Sequence, residues 1–245
     1  TLGIGVERIL EQILGLGISL PGIVDPVQKM ITYSHALGVR DLPFSEIQSY
    51  FPWHCTFLND ANAGAFAEGI GSDLPSSFFY LSLSNTVGGA IFHDGNLLPG
   101  DAFRCGEAGH MTLIPGGRPC YCGKTGCVDS YCSARVLSDL SGGRLEDFFL
   151  GLQQNNPDYR SVWDTYLKHL AVVINNLHML LDYDIVLGGY VGSFLTPWLD
   201  TIRHLVAERN TFEDDGSFVK LCTYQTGAAA YGAAMDVMEE FLRTV

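Results

Sequence analysis

One histidine and three cysteines occur at a spacing that suits a tetrahedral metal site. His110 is followed after ten positions by Cys120, and Cys122 and Cys127 come shortly after it. An imidazole and three thiolates complete a zinc shell with no open position, which is typical of a structural rather than a catalytic zinc ion. Two glycines between the ligands allow the backbone to fold tightly around the metal.

The same cysteines could instead form disulfides or remain buried thiols. The chain has seven cysteines, an odd number, and nothing in it resembles a secretory signal, so a disulfide framework is disfavoured. Three cysteines within eight residues also fit random burial poorly. We therefore expect zinc at His110 and the three cysteines after it. The four other cysteines, expected to be buried thiols, are Cys55, Cys105, Cys132 and Cys222.

Carboxyl groups accompany two polar motifs. Glu107 lies three positions before His110, so a rigid metal loop would hold this carboxylate in place. Asp60 lies at a predicted strand-to-helix junction, where it could act as a general base at the edge of a sheet. A helix N-terminus would keep Asp60 ionised. The alternative is that Asn59 or Asp60 only caps the helix.

Two glycine-rich segments, residues 84–89 and 188–192, follow predicted strands. Backbone N–H groups in such segments can cradle a phosphate, but ordinary turns explain them at least as well. The sequence has no P-loop with its lysine, and no Gly-X-Gly-X-X-Gly pattern follows a strand.

The composition restricts the class of protein. The chain has 245 residues, 47% of them hydrophobic, with 28 glycines, which fits one large α/β domain or two small lobes. Its formal charge of −13 would repel a phosphate backbone, so we expect no nucleic-acid binding by this segment itself. No apolar stretch reaches membrane-spanning length, and we expect no membrane partner. An acidic, thiol-rich chain without a signal indicates a cytoplasmic protein.

Hydrophobic periodicity predicts alternating strands and helices, and hence an α/β architecture. The predicted strands are residues 16–20, 54–58, 78–83, 90–93, 96–98, 184–187 and 221–223, and the predicted helices are residues 6–14, 63–70, 161–182 and 228–242. A modest boundary is predicted near residues 69–73.

Four motifs in order make the chain resemble the ROK family of sugar kinases and sugar-responsive repressors. They are residues 20–25 (Leu-Pro-Gly-Ile-Val-Asp), 59–62 (Asn-Asp-Ala-Asn), 106–110 (Gly-Glu-Ala-Gly-His) and 120–127 (Cys-X-Cys-Gly-X-X-Gly-Cys). The resemblance extends from about residue 16 to residue 242. It implies an actin-like, ribonuclease-H-like fold in which two α/β lobes enclose a sugar cleft.

The resemblance also implies a division of the chain. Residues 1–70 would form a truncated small lobe, which the C-terminal helix at residues 227–245 completes. Residues 71–226 would form the large lobe, with the zinc loop at residues 106–129. The family's kinases begin with an Asp-X-Gly-Gly-Thr phosphate loop that this sequence does not contain, so we expect an incomplete small lobe.

Each polar residue acquires a role from the resemblance. Asp60 matches the catalytic base, and Asn59, Asp60 and Glu107 match sugar-binding residues. His110 would bind zinc through one ring nitrogen and face the sugar with the other. Asp129 stands near the family's usual glutamate after the last zinc cysteine, so a shorter carboxylate would have to reach the sugar. The residues that match nucleotide-binding regions are Thr86, Gly88, Gly89, Gly188 and Gly189.

The sugar side of these motifs is complete, whereas the nucleotide side departs from the family pattern. Residues 84–86 (Ser-Asn-Thr) replace the family's Gly-Thr-Gly, and a β-branched threonine tolerates positive φ poorly. Phosphoryl transfer depends on positioning around magnesium-ATP, so these departures affect catalysis more than sugar binding. The leading hypothesis is therefore the effector-sensing, homo-oligomeric part of a sugar-responsive transcriptional regulator. It would bind a hexose or hexose derivative and reach DNA only through a domain outside this chain.

Two alternatives remain open. The first is an ATP-dependent hexose kinase that uses Mg-ATP and has Asp60 as its base. The second is a zinc-stabilised scaffold that binds neither sugar nor ATP. Sugar affinity that survives Glu107→Ala would favour the scaffold, because the other two hypotheses place Glu107 in the sugar cleft.

Overall fold

The computed structural model describes residues 12–244, and these form ten strands and nine α-helices in mixed α/β order. The strands are β1 (Leu16–Leu20), β2 (Ile23–Asp25), β3 (Met30–Ser34), β4 (Val39–Pro43), β5 (Cys55–Asn59), β6 (Phe78–Leu83), β7 (Val87–His93), β8 (Asn96–Leu97), β9 (Asp184–Gly188) and β10 (Val219–Leu221). The helices are α1 (Phe44–Gln48), α2 (Asp60–Gly71), α3 (Asp129–Cys132), α4 (Arg135–Ser138), α5 (Leu145–Gln153), α6 (Pro157–Leu181), α7 (Gly189–Gly192), α8 (Leu199–Ala207) and α9 (Ala228–Leu242). Within the described residues, no helix combines the length and apolar character needed to cross a membrane.

The largest sheet contains five strands in the order β10-β9-β6-β7-β8. β6, β7 and β8 are antiparallel neighbours, whereas β9 and β10 run parallel to β6. Helices cover both faces: α5, α6 and α8 pack on one, and α2 and α9 on the other. All six residues of β6 are therefore buried. A strand covered on both faces has a near-continuous apolar sequence, which is the pattern at residues 78–83.

Two smaller sheets are built from the N-terminal strands. β1 and β5 pair in parallel, and β2, β3 and β4 form an antiparallel meander. Leu20, Ile31 and Phe57 belong to their shared core. The chain returns to this region at its end, because α9 packs against both α2 and β1.

Glycines allow α9 to approach its neighbours closely. A Cβ on Gly17 would lie 1.9 Å from the carbonyl oxygen of Ala233, and a Cβ on Gly232 would lie 1.8 Å from that of Ala63. Residues without a side chain are thus required at both crossings. α2 also packs on β7, so it contacts both of the lobes expected from the sequence. The lobe division at residue 70 stays a prediction.

Most of the predicted elements are confirmed, and the differences lie at their ends. Confirmed without change are the strands at residues 16–20 and 78–83 and the helix at residues 228–242. The helix predicted at residues 161–182 begins earlier, at Pro157. The Asn156 side chain caps this end by accepting hydrogen bonds from the backbone N–H groups of Asp158 and Tyr159.

Several other regions differ more from the prediction. The sequence patterns do not predict β2, β3 and β4, because these strands are short and only partly buried. The nine-residue helices α5 and α8 are also missed. The last strand lies at Val219–Leu221 rather than at residues 221–223. Of the helix predicted at residues 6–14, residues 6–11 lie outside the described residues, and residues 12–14 are not helical.

Candidate functional site

Asn59 and Asp60 lie where β5 ends and α2 begins. The Asn59 side-chain oxygen accepts hydrogen bonds from the backbone N–H groups of Ala61 (2.9 Å) and Asn62 (3.1 Å). Its amide group donates to the carbonyl oxygen of Gly22 (2.9 Å). Asn59 is therefore the cap of α2, and one N–H of its amide is left for a ligand.

A cavity of about 300 Å³ opens beside Asp60. Asn59, Asp60, Glu107 and His110 all line it, so the structure brings four of the five predicted sugar-binding residues together. The first two come from the junction of β5 and α2. Glu107 immediately precedes the 3-10 turn Ala108–His110, and His110 is the last residue of that turn. The remaining walls come from the turn between β1 and β2, the β3–β4 hairpin, the first residues of β7, Arg104 and the metal loop.

The two carboxyl groups of this cavity differ in exposure, because Asp60 is half-buried and Glu107 is exposed to solvent on one side. Burial raises the pKa of Asp60 above its usual range, although a hydrogen bond from the Ala61 N–H to its Oδ1 (2.9 Å) opposes the shift. Burial also raises the pKa of Glu107; the nearby Asp60 adds to this rise and Arg104 opposes it. A carboxylate with a raised pKa is a suitable acceptor for the proton of a sugar hydroxyl.

Asp129 begins α3, is buried, and lies behind the residues that line the cavity. Its Oδ2 atom accepts a hydrogen bond from the backbone N–H of Val87 at 2.7 Å. This bond fixes the start of β7, and Val87 and Gly88 in turn line the cavity. The structure thus shows a positioning contact for Asp129, and its direct contact with a sugar stays a prediction.

His110, Cys120, Cys122 and Cys127 form a candidate metal site. One ligating atom from each residue lies within 4.8 Å of the others, and the Sγ atoms of Cys122 and Cys127 are 3.7 Å apart. A tetrahedral ion with metal–sulfur bonds of about 2.3 Å separates its sulfur ligands by about 3.8 Å. The buried Nδ1 atom of His110 has no hydrogen-bond partner among the described residues. These residues therefore fit a bound metal ion.

The glycines of this metal loop have the role expected from the sequence. Gly126 has a φ of +80°, and a Cβ there would lie 1.9 Å from the carbonyl oxygen of Ile114. The backbone N–H of Gly123 closes a turn onto the carbonyl oxygen of Cys120 at 3.0 Å. This turn brings the three cysteine side chains close to one another.

A second cavity, of about 330 Å³, shares Asp60 and Thr86 with the first. Its other walls include the turn after β6, Gly189, and the turn after β10 that contains Gln225 and Thr226. Among the described residues that line it, none is a lysine, arginine or histidine.

A buried carboxyl group holds the turn after β10. Glu68, which is 0% exposed, accepts hydrogen bonds at Oε1 from the Tyr224 N–H (2.9 Å) and from the Cys222 thiol (3.0 Å). Burial and this hydrogen bond raise the pKa of Cys222 to about 12, so the thiol keeps its proton. Because Glu68 is on α2, the helix that begins with Asp60 also holds Tyr224, the neighbour of the cavity residue Gln225.

The first glycine-rich segment is not a single loop. Gly88 and Gly89 lie within β7, so the loop predicted at residues 84–89 shortens to residues 84–86. Packing within the sheet requires a glycine at position 89, because a Cβ there would lie 2.5 Å from the Phe79 ring and 2.6 Å from the carbonyl oxygen of Gly106. Gly88 lines the first cavity rather than the second.

The second glycine-rich segment does follow a strand. Gly188 is the last residue of β9, and Gly189 begins the short helix α7 with a φ of +76°. Gly189 lines the second cavity, whereas a Cβ on Gly188 would lie 2.1 Å from the Tyr80 hydroxyl. For these glycines and for Thr86, contact with a nucleotide stays a prediction.

Three aromatic residues that line the first cavity were not predicted as site residues. They are Tyr33, His35 and Tyr121. Tyr121 lies between two metal ligands, and that position is the one signal that could have found it. The hairpin residues carry no such signal, because only the folded chain brings β3 to the cavity.

Sequence comparison relates the chain to proteins that act on sugars or respond to them. The profile of the ROK family matches residues 5–240. A glucokinase from Halalkalibacterium halodurans is 27% identical, with 96% of this chain and 79% of the relative aligned. The xylose repressor of Bacillus subtilis is 32% identical, with 78% of this chain aligned. The chain spans about half of that repressor, 46% of its length.

Structural comparison confirms the fold. The crystal structure of a ROK family glucokinase from Streptomyces griseus, in complex with glucose and AMPPNP, superposes with a TM-score of 0.81 at 21% identity. The match covers 96% of this chain and 87% of the glucokinase. The chain therefore has the actin-like, ribonuclease-H-like α/β fold that its motifs imply. With the profile spanning residues 5–240, the chain belongs to the ROK family.

Proposed function

We propose that this chain is the sugar-sensing part of a transcriptional regulator, with a hexose or hexose derivative as its effector. The contrast between the two cavities carries the proposal. The first gathers Asn59, Asp60, Glu107 and His110, whereas the second has no cationic residue in its described lining. Proteins that transfer phosphoryl groups surround the phosphates with lysine, arginine and magnesium. In a chain with a formal charge of −13, the second cavity suits a nucleotide poorly.

The first cavity offers both kinds of hydrogen-bonding group that a sugar requires. The carboxylates of Asp60 and Glu107 accept hydrogen bonds from hydroxyl groups. The free amide N–H of Asn59 and a ring N–H of His110 donate to hydroxyl oxygens. Because Asn59, Asp60 and His110 are partly buried, a sugar that leaves one of them unpaired binds more weakly. The arrangement therefore favours particular hydroxyl configurations.

We further propose that His110 and the three cysteines bind structural zinc. The donor set of one imidazole and three thiols is the one that zinc prefers. With the buried Nδ1 atom as the ligand, the ring proton resides on Nε2, which can then donate to a sugar hydroxyl. Zinc would supply no chemistry beyond holding this tautomer and the loop that contains Glu107.

Assembly and DNA binding are further parts of the regulator proposal. We propose that the chain forms a homo-oligomer, with a small lobe up to residue 70 completed by α9 and a large lobe over residues 71–226. The acidic charge of the chain makes direct contact with DNA unfavourable. DNA would be reached through another domain, and the similarity to a xylose repressor of which only 46% is aligned agrees with this arrangement.

A hexose kinase is the second candidate, and the position of Asp60 favours it. Asp60 lines both cavities, as a general base must when the sugar lies in one and the phosphate donor in the other. In this role Asp60 would take the proton of the attacking sugar hydroxyl. Thr86 and Gly189 would face the nucleotide. The similarity to a glucokinase supports this candidate.

Two assays on the native protein separate the candidates. The first is calorimetric titration with hexoses, xylose and N-acetylhexosamines, and the second is sugar-dependent ADP release with magnesium and ATP. Binding without ADP release supports the regulator, and ADP release identifies a kinase. In either case Glu107→Ala should weaken sugar binding by roughly tenfold or more, whereas Glu46→Ala, an exposed glutamate of α1, should not. Absence of sugar binding in the zinc-loaded wild type refutes both candidates.

A further inference from the structure

The two cavities of the candidate site are adjacent and nearly equal in size. Pro21, Ala36, Asp60 and Thr86 line both of them, and Ala36 is exposed, so the shared boundary opens to solvent on that side. The volumes are about 300 Å³ and about 330 Å³, each at the lower end of the range for small-molecule sites. A ligand built of two units of similar size therefore matches the pair better than it matches either cavity alone.

The walls of the second cavity are rich in uncharged polar groups. They include the hydroxyl groups of two serines and one threonine and the amide groups of an asparagine and a glutamine, namely Ser82, Ser84, Thr226, Asn85 and Gln225. Asp60 is the one acidic residue in the described lining, and no basic residue occurs there. Hydroxyl and amide groups both donate and accept hydrogen bonds, which is what a polyhydroxylated ligand requires.

Several of these groups are free to bind a ligand. Among residues 12–244, the side chains of Asn85, Gln225 and Thr226 form no hydrogen bond with the protein. All three residues are exposed, and they come from the turn after β6 and the turn after β10. A ligand can therefore pair with them without breaking a bond inside the protein, and it replaces only water.

An aromatic side chain completes the second cavity. Tyr190 lines it and is 47% exposed. Its backbone N–H lies 3.4 Å from the Ser84 hydroxyl oxygen, so the start of α7 is held against the turn after β6. Sites for small ligands combine apolar or aromatic surface with a few placed polar groups. The Tyr190 ring offers such a surface to the C–H face of a sugar ring.

Charge separates a sugar ring from a phosphate as the occupant of the second cavity. A nucleotide or a sugar phosphate would bring negative charges beside Asp60, with no lysine, arginine or histidine in the described lining to balance them. An uncharged ring brings no such penalty.

We propose that the two cavities together bind an uncharged disaccharide or a glycoside with a second sugar ring. One ring contacts Asn59, Glu107 and His110 in the first cavity, the second ring lies against Tyr190 and the turns after β6 and β10, and the linkage passes Asp60 and Thr86. The inference rests on the proposed sugar binding and narrows its effector class. It also assigns a ligand to the cavity that the kinase candidate reserves for a nucleotide.

The test compares one-ring and two-ring ligands on the zinc-loaded protein. Glucose, mannose, galactose, xylose and the N-acetylhexosamines are titrated by calorimetry, together with their methyl glycosides and with disaccharides of each that differ in linkage. At least one disaccharide should bind roughly tenfold or more tightly than both its free sugar and its methyl glycoside, because the second ring adds hydrogen bonds. A methyl group adds none, so the methyl glycoside controls for the linkage alone.

Variants locate the second ring. Asn85→Ala, Tyr190→Ala and Thr226→Val change residues that line the second cavity but not the first. Each should weaken binding of the preferred disaccharide by roughly 3- to 10-fold and leave the affinity for the free sugar unchanged. Tyr50→Ala and Thr211→Val make matched changes at exposed residues outside both cavities and should leave both affinities unchanged.

Each result has one meaning. Wild type that binds free sugars without ADP release, but binds no disaccharide more tightly, overturns the inference and leaves the proposed function intact. An advantage for disaccharides that survives all three cavity variants also overturns it, because the second ring then lies elsewhere. Sugar-dependent ADP release assigns the second cavity to a nucleotide and overturns both the inference and the regulator proposal. If wild type binds neither one-ring nor two-ring sugars, the proposed function itself fails.

Discussion

Replacing Cys122 with serine should release the proposed zinc and remove sugar binding in one step. His110 is itself a candidate ligand, and Glu107 precedes it by three residues, so both lose their support when the metal is lost. Hydrogen bonds that involve charged groups contribute about 1.5–3 kcal/mol each. The loss of both costs about 3–6 kcal/mol, which raises the dissociation constant roughly 10²- to 10⁴-fold. Asn59 and Asp60 keep their places, because hydrogen bonds to the Gly22 carbonyl group and from the Ala61 N–H hold them.

The assay measures metal and sugar on the same preparations. Mass spectrometry gives the zinc content, and calorimetry gives the sugar affinity. Cys55→Ser makes the same chemical change at a buried thiol outside the metal site and should alter neither quantity. A zinc-free Cys122→Ser protein whose sugar affinity stays within about threefold of wild type would refute the reasoning, because His110 and Glu107 would then be positioned without the metal.

Three further changes test the structure around the site. Burial raises the pKa of Asp60 above its ordinary 3.8. The protonated carboxyl group therefore stabilises the fold fully below pH 3.8, and this stabilisation is lost as the pH rises through the raised pKa. At about pH 7.5 the Asp60→Asn variant should unfold at a higher urea concentration than wild type and should bind sugar more weakly. Glu68→Ala leaves the Tyr224 N–H without its acceptor and opens a cavity. The free energy of unfolding should fall by about 3–5 kcal/mol, which lowers the melting temperature by about 6–20 °C. A fall under about 2 °C would contradict this expectation. Gly232→Ala forces a Cβ into the neighbouring backbone and should cost more than about 2 kcal/mol in urea unfolding, whereas Gly227→Ala, with nothing within 4 Å, should be neutral or slightly stabilising.

The elements that the sequence predicts best are those whose surroundings are uniform along their length. β6 is apolar at nearly every position because both faces are covered, and the stripe of α6 follows from one buried face. β2, β3 and β4 form a short meander with mixed burial. Their periodicity is too brief to distinguish them from loops, so the walls that they supply to the cavity could not be predicted.

In the candidate site, features that depend on residues close in sequence could be predicted, and features that depend on distant residues could not. The metal cluster is local, and ligand spacing is sufficient to find it. The sequence around Gly88 and Gly89 resembles a phosphate-binding loop. In the structure, Gly89 is instead required by the close approach of the Gly106 carbonyl group. His35 reaches Tyr121 only because the hairpin and the metal loop, 86 positions apart in the chain, fold against one cavity. No local pattern contains that information.

The placement of α9 has a consequence for synthesis on the ribosome. β1 and α2 are made well before α9, the helix that covers them. At about 5–20 residues per second, the roughly 170 residues between Asn59 and Ala228 take on the order of 10–30 s to synthesise. The five-stranded sheet has all of its strands once Leu221 is made. The apolar face of β1 therefore stays uncovered during this interval. A chaperone that binds nascent chains could protect it until α9 is made.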